Sequence, residues 1–306
     1  MAAFCCLILV LSLGASAAAD TDYSDANLVF VDVGQGDCLH IRTPGGKNIL
    51  IDGGGSVNYD VGKKVLLPYL LKNGVKSVDL AIATHLHTDH YQGIVGLARN
   101  MEVKKLGTYA GNVLREQELV EETGLEKGDV LYLSAGDRIP VEKDIWIDVL
   151  YPEKKTEEEY QALLSDEADE NRSCLFMKVY YKGITVLMTG DIGMEGEEEI
   201  MALYRDNPEI LDVDILKVGH HGSRYSTGDL FLQEVNPEIA VFQVGKNNFG
   251  HPHPTTIEKC SKKGIIIYRN DLNGAILFTC DENLWSKEGK IWHTDVLLRK
   301  STLLKE

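Results

Sequence analysis

The chain contains the stretch Thr84-His85-Leu86-His87-Thr88-Asp89-His90, which directly follows the apolar run Val78–Ala83. The apolar run is typical of a buried strand, and alternate residues at a strand end project to the same side, so the first two histidines are predicted to point the same way. Imidazole nitrogens and carboxylate oxygens are suitable ligands for Zn²⁺ and similar ions. Because burying so many of them without a cation would be costly, the stretch predicts a metal site at a strand end.

Two later strand ends also present acidic or imidazole side chains. Thr189-Gly190-Asp191 follows the predicted strand Ile184–Met188, and Gly219-His220-His221-Gly222 follows the predicted strand Val213–Val218. Either pattern alone is common in ordinary turns. Three strand ends that each carry Asp or His together favour one shared metal site.

Short apolar runs separated by turns alternate with stretches of helical spacing along the rest of the chain, which is typical of a layered α/β domain. Further strands are predicted at Asn27–Val33, Leu39–Arg42, Asn48–Ile51, Ile145–Leu150, Cys174–Tyr181, Ile239–Val244, Ile265–Tyr268 and Ala275–Thr279. Helices are predicted at Tyr59–Lys72, Glu116–Glu122, Glu195–Tyr204, Asp229–Glu234 and Thr255–Lys263.

The run HLHTDH resembles the His-x-His-x-Asp-His signature of the metallo-β-lactamase superfamily. Four more blocks make nearly all of the chain after residue 27 similar to the soluble domain of ComEC-type competence DNA-uptake channels: VFVDVGQGDCLHIRTPGGKNILIDGGG, DENRSCLFMKVYYKGITVLMTGD, ILKVGHHGSRYS and KNNFGHPHP. Secreted phosphorylcholine esterases, which cleave a phosphodiester on cell-wall polymers, have a similar layout.

This resemblance implies a four-layer αββα sandwich that holds one or two divalent ions, Zn²⁺ first among them, at the edge between two β-sheets. The implied ligands are His85 and His87 for the first ion, Asp89 and His90 for the second, and Asp191 as a bridge. His221 is assigned as the remaining ligand and His220 is placed near the substrate, although the reverse assignment of this pair stays open. Asp52 is expected to orient the ligand loop through hydrogen bonds.

The candidate catalytic residues are Asp89, Asp191, His220 and His251. In this interpretation either carboxylate accepts the proton of an attacking water, and His251 binds phosphate, protonates a leaving group or approaches the metal. A turn with partly exposed imidazoles is an equally good interpretation of the His251 loop. Asp37, beside the tight turn Gly34-Gln35-Gly36, is expected to brace that turn and to have a structural role only.

The sequence departs from the superfamily pattern at one position. Many members supply a further histidine to the first metal, but no histidine occurs between Tyr91 and Gly219, and Glu170-Asn171-Arg172-Ser173 stands in that place. The first ion is therefore expected to have a weak or water-filled ligand position, and whether one ion or two are held stays open.

The first nineteen residues are predicted to be a cleaved secretory signal. The apolar run Phe4–Leu13 is too short for a membrane span, which needs roughly 20 residues, and small residues up to Ala19 follow it. An uncleaved anchor is the alternative, since no Lys or Arg precedes the run. We expect one hydrolase domain over residues 20–306, located outside the cytoplasm and without a transmembrane span, with residues 281–306 as an extension of undecided structure. Its cysteines, Cys38, Cys174, Cys260 and Cys280, are expected to be buried free thiols, with a disulfide as the alternative.

The net charge of the chain limits the kinds of partner that it is expected to bind. The 306 residues include 31 Lys or Arg and 47 Asp or Glu, a net charge of −16, which argues against a protein that coats nucleic acid. Nucleic acid is expected only as a substrate, with a local basic strip formed by Arg224, Lys246, Lys262 and Lys263. The predicted function is a secreted metal-dependent phosphodiesterase that acts on DNA or on a phosphodiester-bearing polymer or head group. The alternatives are a hydrolase of another bond, such as a β-lactam or thioester, and a non-catalytic metal-binding module.

Overall fold

Alternating apolar residues in the first strand contribute to two of the three apolar layers of the protein. The computed structural model describes residues 27–165, 170–279 and 293–296. Leu28 and Phe30 point into a core shared by two large sheets, whereas Val29 points to the opposite face, where helices cover the sheet. The period of two along a strand therefore produces one apolar layer between the sheets and another beneath the outer helices.

The strands of the described residues are short, and most are almost entirely buried. In chain order they are β1 (Asn27–Phe30), β2 (Leu39–Arg42), β3 (Asn48–Ile51), β4 (Ser77–Val78), β5 (Leu80–Ile82), β6 (Glu102–Val103), β7 (Leu106–Tyr109), β8 (Val130–Leu133), β9 (Arg138–Glu142), β10 (Ile145–Tyr151), β11 (Phe176–Tyr181), β12 (Ile184–Met188), β13 (Ile215–Lys217), β14 (Ile239–Phe242), β15 (Ile266–Arg269), β16 (Ile276–Thr279) and β17 (His293–Val296).

These strands form two large mixed sheets. The first has the order β17-β16-β1-β2-β3-β5-β7-β8, and the second has the order β15-β14-β13-β12-β11-β10-β9. The first sheet is antiparallel from β17 to β3 and parallel from β3 to β8. The second is antiparallel from β9 to β12 and parallel from β12 to β15. Strands β4 and β6 form a separate parallel pair.

Helices cover the outer face of each sheet. They are α1 (Leu67–Lys72), α2 (Thr88–Ala98), α3 (Glu116–Thr123), α4 (Glu157–Ser165), α5 (Met194–Leu203), α6 (Asp229–Val235), α7 (Pro254–Lys262) and α8 (Asn270–Asn273). Residues of α1 and α2 pack on the first sheet, and residues of α5, α6 and α7 pack on the second. The layers are therefore helix, sheet, sheet and helix, which confirms the αββα sandwich expected from the sequence.

Parallel strand pairs bring the predicted site residues to one edge. In the first sheet β3 pairs with β5, and in the second β12 pairs with β13, each in parallel. Because parallel strands end at the same edge of a sheet, the loops that follow these four strands meet there. The loops carry Asp52, the stretch from His85 to His90, Asp191 and the His220–His221 pair.

Several predicted elements differ in extent from the structure. The strand expected over Val78–Ala83 is divided at Asp79 into β4 and β5, and the helix expected over Tyr59–Lys72 is a π-helical turn at Gly62–Leu66 that continues into α1. In the predicted C-terminal extension, β17 pairs antiparallel with β16. The predicted signal at residues 1–19 and Cys280 lie outside the described residues. Cys38, Cys174 and Cys260 are buried free thiols, as expected.

None of the helices in the described ranges is long and apolar enough to cross a membrane.

Candidate metal centre

The loop after β5 is fixed by backbone hydrogen bonds to two glycine-rich turns. Helix α2 begins at Thr88, so the aspartate and the third histidine of the motif lie in its first turn. The Gly53 N–H donates to the carbonyl of His90 at 2.8 Å, and the Asp37 N–H donates to the carbonyl of Asp89 at 3.1 Å. Gly36 has a φ of 129°, and a Cβ there would overlap the Asp89 carbonyl, so this close approach requires glycine.

Asp52 holds the histidine loop from the end of β3. Its buried carboxylate accepts hydrogen bonds from the Thr84 N–H at 2.7 Å, the Thr84 hydroxyl at 2.8 Å and His90 Nδ1 at 2.9 Å. His85 Nδ1 lies 3.1 Å from the same threonine hydroxyl and donates to it, because the hydroxyl proton is used on Asp52. One carboxylate thus fixes the tautomer of two histidines and puts the lone pair of each ring on Nε2, which is the orienting role expected from the sequence.

The two histidines assigned to a first ion face each other. His85 Nε2 lies 3.0 Å from His87 Nδ1, and the rings are 4.6 Å apart between centroids. His85 also lies against His90, with 4.1 Å between ring centroids. The structure therefore brings the three histidines of the motif together.

The donors assigned to a second ion also converge. His90 Nε2 is 3.2 Å from Asp191 Oδ1, and His221 Nε2 is 3.2 Å from Asp89 Oδ2 and 3.5 Å from Asp191 Oδ2. Tetrahedral zinc with ligands at about 2.0–2.1 Å has neighbouring donors about 3.4 Å apart, so these separations suit a single ion.

Unused hydrogen-bonding capacity supports the same assignment. His90 Nε2, His221 Nε2 and Asp191 Oδ1 are buried and have no hydrogen-bond partner. Buried polar atoms normally have one, and each unpaired atom costs free energy. His221 Nδ1 donates to the Gln243 carbonyl at 2.9 Å, which leaves its Nε2 lone pair directed at the other donors. The residues present therefore fit a divalent metal ion.

Asp37 and Lys217 belong to this site, although the sequence reasoning gave them no role in it. Donor atoms of Asp37, His90, Asp191 and His221 lie within 4.8 Å of one another, so the structural role expected for Asp37 is too narrow. The fully buried Lys217 ammonium forms an ion pair with Asp37 and donates to the Gly190 carbonyl at 2.9 Å. A lysine at the end of an apolar strand, in ILKVGHHGS, was the available signal.

The electrostatics of the cluster favour cations. Burial alone raises the pKa of Asp191, but the imidazoles of His221 and His90 outweigh burial and hold that pKa well below its ordinary value. Burial lowers the pKa of His221, but the carboxylates of Asp191 and Asp37 raise it to about 10. The carboxylates therefore stabilise a positive charge at the imidazole nitrogens, and a divalent ion bound there would supply that positive charge in place of a proton.

The side chains of His220 and His221 lie in different environments. His221 is 1% exposed and lies in the donor cluster, whereas the His220 side chain is 34% exposed with Nε2 at 3.6 Å from Asp191 Oδ2. This placement favours His221 as the ligand and puts His220 at the mouth of the site. The His251 ring lies 5.4 Å from the His220 ring, and its buried Nδ1 has no hydrogen-bond partner. Burial, together with the neighbouring imidazoles, lowers the pKa of His251 to about 4, so this ring is uncharged at neutral pH.

A groove of about 830 Å³ opens beside the cluster, with Asp89 in its lining. Tyr59, Lys246 and Phe249 also line it, and the Phe249 side chain is 74% exposed. The predicted basic strip is divided between two places. Lys262 and Lys263 line a different depression, between α6 and α7, where Lys262 pairs with Glu258 at 2.8 Å.

Two mixed sheets between helical layers, with imidazoles and carboxylates clustered at one edge, define a class of metal-dependent hydrolases. The profile of the metallo-β-lactamase superfamily matches residues 31–246, and the chain belongs to this superfamily.

Two curated relatives within this superfamily are competence proteins. ComE operon protein 3 of Bacillus subtilis (strain 168) is 32% identical over 271 residues, which cover 83% of this chain and 33% of the relative. Competence protein ComA of Neisseria gonorrhoeae is 28% identical over 261 residues, which cover 83% of this chain and 32% of the relative. The chain thus spans about a third of the length of these relatives, and its resemblance to the competence-protein domain is confirmed.

Among solved structures, the diiron β-hydroxylase CmlA from Streptomyces venezuelae superposes with a TM-score of 0.51. Sequence identity is 14%, and the match covers 83% of this chain and 54% of CmlA. This similarity shows the fold.

Proposed function

We propose that the chain is a secreted, metal-dependent phosphodiesterase that cleaves DNA or another phosphodiester-bearing polymer or head group. The observation that carries the proposal is the convergence of unpartnered ligand atoms from His90, Asp191 and His221 beside an open groove. These buried atoms contact one another only as ion pairs at 3.2–3.5 Å, an arrangement suited to hold a cation between them. The competence proteins similar to this chain support a polymeric phosphodiester as substrate, and the apolar run at Phe4–Leu13 supports secretion.

The proposed metal ligands are the side chains whose lone pairs face the centre of the cluster. Asp89, His90 and His221 would hold one ion, with Asp191 shared, and His85 and His87 would hold a second where two are bound. When bound, Zn²⁺ or a similar divalent ion lowers the pKa of water towards about 7 and stabilises negative charge on a phosphoryl oxygen.

Residues around the metal site orient the ligands, accept a proton and bind the substrate. Asp52 and the Gln243 carbonyl fix the rings of His90 and His221 by hydrogen bonds to Nδ1. The Asp89 carboxylate is partly exposed to the groove and is suited to accept the proton of an attacking water. His220 and the uncharged His251 stand at the mouth, where an N–H of either ring can donate to a substrate oxygen.

Substrate choice tests the proposal. Purified protein is assayed with bis(p-nitrophenyl) phosphate, single-stranded DNA and nitrocefin, with and without a chelator and with Zn²⁺ or Mn²⁺ added back. We expect chelator-sensitive hydrolysis of the phosphodiesters and none of nitrocefin. Turnover of nitrocefin alone would favour the alternative hydrolase, and no metal-dependent turnover of any substrate would favour a metal-binding module.

The loop with two histidines provides a matched pair of variants for the proposed role of His251. His253 Nδ1 accepts a hydrogen bond from the Thr255 N–H and caps α7, whereas His251 faces His220. We expect His251→Gln to reduce kcat for the phosphodiester by about tenfold, because the amide N–H cannot take the position of the ring N–H and a hydrogen bond to a charged group contributes about 1.5–3 kcal/mol. His253→Gln should retain activity, and equal activity of the two variants would remove His251 from the proposal.

A further inference from the structure

The turn that carries His220 and His221 has an unfavourable backbone conformation. Both residues are left-handed, with φ of 46° and 52°. Non-glycine residues rarely adopt this conformation, and it persists only where the surrounding structure enforces it. Some neighbouring group must therefore hold the turn.

The segment from Ser223 to Gly228 supplies the contacts that hold it. The Ser226 hydroxyl donates to the Gly219 carbonyl at 2.7 Å, and the Gly219 N–H donates to the Thr227 hydroxyl at 3.3 Å. Both side chains are fully buried. Thr227 is itself left-handed, with φ of 55°, so the segment that holds the turn must also be held.

Glu197 of α5 holds that segment. One carboxylate oxygen accepts the Thr227 N–H and the other accepts the Gly228 N–H at 2.9 Å. The residue is only 3% exposed. Burying a carboxylate is costly, and here two backbone N–H groups compensate for it. Glu197 belongs to none of the motifs described above.

We propose that Glu197 is a positioning residue, whose carboxylate clamps Thr227 and Gly228 and so fixes the turn that presents His220 and His221. The importance of this turn for metal binding rests on the proposed function; the clamp itself does not.

Ionisation controls the clamp. Burial raises the pKa of Glu197 to about 7, the two N–H groups and Lys259 oppose this, and Glu198 adds to it. Lys259 reaches the site from α7 through a 3.2 Å hydrogen bond to the Thr227 carbonyl, and α6 begins at Asp229, immediately after the clamped glycine. A protonated carboxyl keeps one good acceptor oxygen, whereas its O–H oxygen is a much weaker acceptor for an N–H. The clamp is therefore complete above pH 7 and half open below it.

Glu197→Gln reproduces the half-open clamp at every pH, because its amide nitrogen cannot accept. Glu199→Gln on the exposed face of the same helix is the matched control. The first measurement is hydrogen exchange of residues 218–228 in chelator-treated full-length protein at pH 6 and pH 8, corrected for intrinsic exchange. We expect wild type and the control to lose about tenfold in protection of this segment on going to pH 6. Glu197→Gln should show the lower protection at both values.

Zn²⁺ affinity is the second measurement. At pH 8, Glu197→Gln should bind Zn²⁺ about tenfold more weakly than wild type, as is usual when a group that positions a ligand is lost. Unchanged protection of residues 218–228 in the variant would overturn the inference, as would an equal loss throughout the chain. Should the variant not fold, Glu197→Asp, which keeps the charge but draws the carboxylate away from the two N–H groups, is measured in its place. Wild type that binds no metal would defeat the proposed function and leave the exchange result to decide the clamp.

Discussion

Replacing Asp52 with asparagine tests whether one buried carboxylate prepares the metal ligands. The Asp52→Asn side chain has nearly the same shape, and its remaining oxygen can still accept the Thr84 N–H. The amide nitrogen that replaces Oδ2 would face His90 Nδ1 and the Thr84 hydroxyl, which donate to Oδ2 in the wild type at 2.9 and 2.8 Å. The threonine hydroxyl can rotate away, but the ring nitrogen of His90 loses its acceptor.

The size of the effect follows from that single lost bond. A hydrogen bond to a charged group contributes about 1.5–3 kcal/mol. Because the bond holds His90 Nε2 in place for the metal, its loss should weaken Zn²⁺ binding about 10- to 100-fold, which matches the usual effect of removing an orienting carboxylate. His85 is connected to the same carboxylate through Thr84, so a second bound ion should be released more readily as well.

The assay is Zn²⁺ competition with a chromophoric chelator at pH 8, together with thermal unfolding of the chelator-treated protein. Asp144→Asn is a matched control, because Asp144 has a φ of 61°, close to the 59° of Asp52, and lies on an exposed turn. Any effect of asparagine on left-handed backbone is then common to both variants. Zn²⁺ affinities of the two variants within twofold of each other would refute the reasoning.

Three further predictions concern stability. Burial lowers the pKa of His40 to about 4, below the unfolded value of about 6.5. The contribution of neutral His40 to the free energy of unfolding is therefore complete above pH 6.5 and should decline by about 3 kcal/mol towards pH 4. Urea unfolding measures this decline, which His40→Gln should lack. Lys217→Met should cost chelator-treated protein about 3–5 kcal/mol, because it leaves Asp37 buried without its cation; a loss below 1 kcal/mol would count against this. Gly222→Ala should lower the melting temperature more than Gly250→Ala; both have positive φ, but only at the first would a Cβ overlap two neighbouring rings. Equal losses would contradict the overlap.

The metal-ligating types and the strands that present them could be predicted from the sequence. The motif after β5, the aspartate after β12 and the histidine pair after β13 all follow apolar runs, so a strand end could be assigned to each. What brings these ends together is the pairing of β3 with β5 and of β12 with β13, and the apposition of the two sheets. The prediction of a shared site therefore depended on the family resemblance as well as on local pattern.

Asp37 in the site and Glu197 beside it show why some residues were missed from the sequence. Asp37 follows a glycine turn, where a bracing role is a reasonable expectation, and only the approach of Lys217 from the other sheet reveals its position in the cluster. Glu197 lies among four glutamates at the start of α5, and local sequence favours all of them equally through the helix dipole. Tertiary packing alone distinguishes the buried one.

Some elements also lacked a local signal. Strand β9 has the sequence RIPVE, whose charges and proline are typical of a turn or an edge, and it does form the edge of the second sheet. Helix α4 begins with three glutamates and has a short apolar face, so its pattern was too weak to separate from a loop. Both elements depend on neighbours that pattern reasoning does not include.

Lys217 gives the carboxylates at the centre of the protein a counter-ion that is covalently part of the chain. Its ammonium pairs with Asp37 and lies 3.8 Å from Asp191 Oδ1, so these acids are partly neutralised as soon as the sheets come together. We therefore expect the polypeptide to fold before a metal ion binds. Metal binding would then be a separate, later step, in which the folded site takes up the divalent ion present in the compartment that the protein enters.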